Sequence, residues 1–255
     1  MNRISDLFKI RGEKLIPFIT AGFPRLDLTV ELVLAAEKAG ADMIELGMPF
    51  SDPLAEGPVI QASSQTALEN GVTLSWILDQ VSVIRETSKI PLVLMGYINP
   101  ILQYGMKAFV QDAHKAGVDG FILPDLPPEE AGTWVQECHQ TGVSPILLVA
   151  PNTPAERIRS ISRLAGDLIY AVSVLGITGS DFHSDRALIQ YLKRVREYSE
   201  TPFVVGFGVK SRQDITLINQ MADGAVVGTA LIQRISESSD PVQSVEQFIR
   251  ELRGT

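Results

Sequence analysis

The strongest constraint on the fold is a repeated unit: a helical segment, a glycine, then an apolar run rich in β-branched residues. Ala36-Glu37-Lys38-Ala39-Gly40-Ala41-Asp42 leads into Met43-Ile44-Glu45-Leu46. Ala113-His114-Lys115-Ala116-Gly117-Val118-Asp119 leads into Phe121-Ile122-Leu123, and Cys138-His139-Gln140-Thr141-Gly142-Val143 into Pro145-Ile146-Leu147-Leu148-Val149. Glycine after a helix accepts the left-handed cap conformation without a Cβ penalty. The run that follows is apolar on both faces, which suits a parallel strand covered by helices.

Such runs fall at 15–20, 43–48, 91–97, 120–124, 145–150, 168–174, 202–208 and 225–230. Helical periodicity fills the gaps at 28–38, 73–87, 107–116, 129–140, 154–164, 187–198 and 212–221, and a last helix is predicted over 242–252. Eight strands, each followed by a helix, in 255 residues is the arithmetic of a (β/α)8 TIM barrel. No linker or charge block divides the chain, so a single domain is expected, with an N-terminal helix in 1–14 and the barrel in 15–255. A doubly wound open sheet is the competing fold. It calls for a Gly-rich dinucleotide fingerprint after the first strand, where this chain has Ala21-Gly22-Phe23-Pro24.

Composition narrows the function. With a net charge of −8 and no basic run, nucleic acid is not an expected partner. No apolar stretch approaches the roughly 18 residues of a membrane span, and the N-terminus lacks a signal-type apolar core, so a cytoplasmic protein is expected. One cysteine, Cys138, excludes an internal disulfide, and the three histidines lie far apart, so no metal site is expected. Cys138 and His114 are expected on helices away from the strand-end loops, Cys138 packing or at the surface rather than acting as a nucleophile. Phe207, the methionines, Trp76 and Trp134 read as packing residues.

In a barrel, chemistry sits on the loops at the C-terminal ends of the strands. The loop after the second strand, running from Glu45 to Pro58, holds three prolines, two glycines and three carboxylates. Glu45 interrupts an apolar strand. Either a salt bridge holds it there, or burial raises its pKa into the range useful for acid–base work. The loop from Leu175 to Arg186 is long and flanked by glycines, as a mobile lid or a plain connector would be. Gly179, Gly208 and Gly228 end three successive strands; each alone could serve packing, but together they favour a backbone cradle for phosphate.

On these residues the chain resembles the tryptophan synthase alpha subunit family from the first strand to the last. The carrying stretches are Pro17-Phe18-Ile19-Thr20-Ala21-Gly22-Phe23-Pro24, the loop from Glu45 through Gln61, Pro124-Asp125-Leu126-Pro127, Tyr170-Ala171-Val172-Ser173, Gly176-Ile177-Thr178-Gly179 and Gly206-Phe207-Gly208-Val209. The resemblance implies retro-aldol cleavage of indole-3-glycerol phosphate to indole and glyceraldehyde 3-phosphate. It implies an α2β2 heterotetramer in which indole passes to a beta subunit, with no cofactor in this chain and pyridoxal phosphate only in the beta partner. It makes Glu45 the acid–base group and Glu56 the acid facing the indole N–H. Phe18, Tyr97 and Tyr170 would surround the substrate, Thr178 would contact the second acid, and Gly179, Gly208, Gly228 and Thr229 would cradle the phosphate. A regulatory subunit that activates a beta partner and a stand-alone lyase are the competing functions. The family usually has Asp at the second acid and Ser at the position of Thr229. The extra methylene of Glu56 moves the carboxylate by about 1 Å, a displacement that can cost ~100-fold where geometry is critical, so Glu56→Asp is expected to be faster.

Overall fold

The computed structural model describes residues 2–54, 56–172, 186–206 and 208–255. Eight parallel strands form a closed barrel in sequence order: β1 (Leu15–Thr20), β2 (Ile44–Gly47), β3 (Leu92–Met95), β4 (Gly120–Ile122), β5 (Ser144–Val149), β6 (Ile169–Val172), β7 (Phe203–Gly206) and β8 (Gly224–Val227). Closure excludes the open sheet. Each of the eight predicted runs overlaps its strand, and six contain it whole, while β5 and β8 each begin one residue earlier, at Ser144 and Gly224. The runs stand out because a parallel strand covered on both faces is mostly apolar.

Twelve helices lie among the described residues: α1 (Arg3–Lys9), α2 (Thr29–Lys38), α3 (Pro58–Glu69), α4 (Leu74–Arg85), α5 (Ile98–Tyr104), α6 (Met106–Ala116), α7 (Gly132–Thr141), α8 (Ala155–Ala165), α9 (Arg186–Tyr198), α10 (Arg212–Met221), α11 (Thr229–Glu237) and α12 (Pro241–Arg253). None is long and apolar enough to cross a membrane. Gly117 and Gly142 take the left-handed cap conformation expected of them at the ends of α6 and α7. Gly40 lies one residue past the cap of α2, which is Ala39.

Three helices escape the sequence reading. α3 buries only Ser63, Ser64 and Ala67, so it shows no apolar stripe. α5 carries Pro100 in its first turn, where the amide hydrogens have no helical partner and proline is tolerated. α11 follows β8 so closely that its first residues read as strand; Thr229 opens the helix instead. The N-terminal helix is also shorter than 1–14. It ends at Lys9, and the chain runs non-helical from Ile10 to β1.

The pairing register assigns the two faces of each strand. Phe18 aligns with Glu45, Glu45 with Val93, Tyr170 with Val204, and Val204 with Gly224. Aligned residues of parallel neighbours share a face, so these side chains point into the barrel and their sequence neighbours point at the helices. At the floor Ile4 of α1 is fully buried, and a Cβ on Gly120 would stand 2.9 Å from its Cδ1. Arg3 and Arg85 each bond Asp119 at 2.8 Å, and Ser5 bonds Asp167 at 3.1 Å, which holds α1 across the barrel floor. Asn2 caps α1 through the Ile4 amide at 2.9 Å and donates to Ser144 Oγ at 2.5 Å. We expect Asn2→Ala to lower stability by about 1 kcal/mol in urea unfolding, the usual worth of such a cap; an unchanged midpoint would show that this cap contributes nothing to global stability.

Candidate active site

The other end of the barrel gathers the sequence candidates. Glu45 lies in the middle of β2, fully buried, and neither carboxylate oxygen has a hydrogen-bond partner among the described residues. That removes the salt-bridge reading. With nothing to stabilise its charge, burial pushes the Glu45 carboxyl up to about 8, so the neutral acid is its main form at pH 7.

Aromatic rings border this acid because small residues leave room for them. Phe18 sits opposite Glu45 in the register and is buried; a Cβ on Gly47 would come within 2.5 Å of its Cζ. Tyr170 projects from β6 on the same interior face, and the backbone of Gly206 in β7 accommodates its ring. Burial raises the pKa of the Tyr170 hydroxyl well above the ordinary phenol value, and the nearby Glu45 and Glu56 carboxyls push it further in the same direction. One phenol therefore senses both acids, which brings the two carboxyls to one mouth.

Glu56 is half-buried on the loop between β2 and α3. Its backbone carbonyl accepts a bond from Gln61 Nε2 at 2.9 Å, and its carboxylate accepts a bond from the Tyr97 hydroxyl. Tyr97 is 3% exposed, caps the start of α5, and stacks on Phe50 with ring centroids 5.0 Å apart. The next amide, Ile98 N–H, donates to both oxygens of Asp125 at 3.1 and 3.2 Å. Burial raises the Asp125 pKa, and the Ile98 bond works against that rise.

Across the mouth, Gly208 is exposed at φ +84°, a conformation that side-chain-bearing residues rarely adopt. Gly228 is half-buried and immediately precedes α11; a Cβ on it would lie 3.5 Å from Ile60 Cδ1 and 3.6 Å from Phe18 Cβ. Thr229 is exposed as the first residue of that helix, where unpaired amide hydrogens suit an anion. Thr178, Gly179, Phe207 and the remainder of the candidate lid up to Asp185 lie outside the described residues.

Sequence reasoning missed Phe50, Gln61 and the space-making roles of Gly47 and Gly206. Gly47 carried a usable signal, since two residues beyond Glu45 on a strand is the same face. A cleft of about 350 Å³ between the β2 loop and α4 and α5 has neither acid in its wall. Among the described residues no group of three His, Cys, Asp or Glu could hold a metal ion. Cys138 is fully buried on α7, where apolar surroundings push its thiol pKa up, so its role is packing. His114 is exposed on α6.

Comparison with known proteins agrees with this geometry. Residues 5–254 match the family model described as tryptophan synthase alpha chain. The tryptophan synthase alpha chain of Petrotoga mobilis is 43% identical over 257 residues, covering 99% of both chains. That of Roseiflexus castenholzii is 44% identical over 261 residues, covering 100% of both. The crystal structure of tryptophan synthase subunit alpha from Legionella pneumophila str. Paris superposes with a TM-score of 0.93 at 39% identity, covering 100% of this chain and 98% of that one. A chain of the tryptophan synthase a2b2 complex of the hyperthermophile Pyrococcus furiosus gives a TM-score of 0.90 at 36% identity, over 95% of this chain and 98% of that one. Sequence and backbone thus agree over almost the whole length, and the chain belongs to the tryptophan synthase alpha chain family.

Proposed function

We propose that the chain cleaves indole-3-glycerol phosphate into indole and glyceraldehyde 3-phosphate and hands the indole to a beta subunit. The observation that carries this reading is a fully buried, unpartnered carboxyl, Glu45, held protonated inside the barrel beside Phe18 and Tyr170. The C–C bond to the side chain can break only after the indole ring gives up its aromaticity. Glu45 supplies the proton to indole C3, which leaves the ring as a cation. The C3–side-chain bond then breaks, its electron pair restores the ring, and the side-chain hydroxyl becomes the aldehyde carbonyl. The hydroxyl proton returns to Glu45, so the acid is regenerated. Glu56 offsets the transient positive charge by facing the ring N–H. Two carboxyls in unlike surroundings, one protonated by burial and one held by Tyr97, suit these unlike tasks.

Gly208, Gly228 and the first turn of α11 at Thr229 hold the phosphate by their amide hydrogens, and Gly179 and Thr178 complete the site on the same reading. The proton transfers need no cofactor in this chain; pyridoxal phosphate belongs to the beta partner. An α2β2 assembly follows the P. furiosus relative, whose complex is solved. Glu56 in place of the usual Asp is the one feature that favours the regulatory reading, and the intact Glu45 weighs against it; the comparisons favour neither that reading nor the stand-alone one. The protein works in the cytoplasm, a reducing compartment that suits its single unpaired cysteine.

The deciding experiment is a steady-state assay of indole release from indole-3-glycerol phosphate, with and without a beta subunit; no release under either condition removes the proposal. The phosphate site has its own test. Gly208→Val forces a side chain into a left-handed conformation, and we expect affinity for glyceraldehyde 3-phosphate to fall at least ten-fold in calorimetric titration. Unchanged affinity would move the phosphate elsewhere.

A further inference from the structure

We propose that Tyr97 is a positioning residue that matches this site to glutamate, rather than the shorter aspartate, at position 56. The inference rests on the reading of Glu56 given above and concerns how that carboxylate is aimed. Its main chain is tied to α3 by the Gln61 side chain at 2.9 Å, so the loop has little freedom to carry a shorter side chain forward. Its carboxylate reaches the Tyr97 hydroxyl. That hydroxyl is itself fixed from two sides: the ring stacks on Phe50 at 5.0 Å and 27°, and the adjoining Ile98 amide is bound to Asp125 at 3.1 Å. Tyr97 is also almost wholly buried, so its ring cannot swing out to follow a retreating partner.

Both ends of the contact are therefore anchored, and the length of the side chain between them decides whether it forms. Removing one methylene withdraws the carboxylate by about 1 Å, enough to break a hydrogen bond between fixed groups. A carboxylate has about four lone-pair sites, so the bond to Tyr97 orients the group without exhausting its acceptors. Glu56→Asp should thus be slower than the native chain, the reverse of what the family's preference for Asp suggests from sequence alone.

The test is a double-mutant cycle in the presence of the beta partner, using Tyr97→Phe, Glu56→Asp and the pair. Tyr97→Phe keeps the ring and its stack and removes only the hydroxyl. We expect each single variant to lower kcat about ten-fold with KM changed much less, and the double variant to be no slower than Glu56→Asp alone. Additive losses, or a Glu56→Asp enzyme as fast as the native one, overturn the proposal. A second readout does not depend on turnover. In the full-length protein, proton NMR should show a slowly exchanging, downfield hydroxyl proton that vanishes in Tyr97→Phe and also in Glu56→Asp. Its absence from the native protein, or its persistence in Glu56→Asp, overturns the proposal whatever the enzyme cleaves. Absence of any cleavage by the native chain instead defeats the functional reading, and the hydroxyl proton still decides the positioning.

Discussion

Glu45→Gln is expected to lower turnover by at least ~100-fold and, at alkaline pH, to make the protein more stable. The two effects share one cause. The Glu45 carboxyl has no hydrogen-bond partner among the described residues and holds its proton up to about pH 8, against an ordinary value of 4.5. Between those two values the folded chain keeps a proton that the unfolded chain has released. Stability therefore falls as pH rises from about 4.5 to about 8, by up to about 1.4 kcal/mol per pH unit, and levels off above 8, where both states are ionised. Gln carries no titrating proton, so this slope disappears in the variant. Near pH 5 acid and amide are both neutral and the melting temperatures should lie close together; by pH 8 the variant should melt higher. Turnover moves the other way, because the amide cannot donate to C3 and then take up the hydroxyl proton. For the native enzyme, kcat/KM should decline as pH rises through about 8, as the acid form is lost. Calorimetry at pH 5 and 8, with kcat measured at both, checks the pair of effects. Near-native turnover in Glu45→Gln removes the acid–base assignment; parallel stability profiles remove the buried-proton argument.

How much of this was legible beforehand depended on the range of the interactions involved. The strands were readable because each is covered on both faces, which writes an uninterrupted apolar run that no loop imitates. Glu45 stood out against such a run for the same reason. α3 was not readable, because it packs against β1 and α11 with Ser63, Ser64 and Ala67 as its buried residues and so shows no apolar stripe. α11 was absorbed into the strand before it, since only Gly228 and Thr229 separate that apolar run from Ala230 and Leu231. The site itself was half readable. Residue types and the strand ends pointed to Glu45, Gly208 and Gly228. What sequence could not supply is pairing across the barrel: that Phe18 faces Glu45, or that Tyr97 reaches a carboxylate 41 positions away. Those contacts depend on strand register and loop path, which local pattern does not encode.

The second large effect follows from one such cross-strand contact. Gly206→Ala is expected to cut kcat/KM by at least ~100-fold while the barrel stays folded. A Cβ at this position would coincide with the Tyr170 hydroxyl and still stand only 2.8 Å from Cε1, so the phenol cannot remain where it is. It cannot move deeper, because the interior below is filled by Val204, its register partner, and by Ile16, which crowds the Gly224 position alongside Val204. The ring must turn toward the mouth, into the space beside Phe18 and Glu45 where the proposed function puts the substrate. Overpacking of this kind costs about 1–3 kcal/mol of stability, but a 1 Å displacement of a substrate-facing ring costs more in rate than in folding. The two consequences separate in a second variant. Removing the ring with Gly206→Ala/Tyr170→Leu should recover most of the lost stability, since the clash is gone, without recovering the rate, since the substrate wall is gone as well. If Gly206→Ala alone keeps native turnover, Tyr170 does not border the reacting group. Recovery of rate in the double variant would likewise show that the ring acts only as filler.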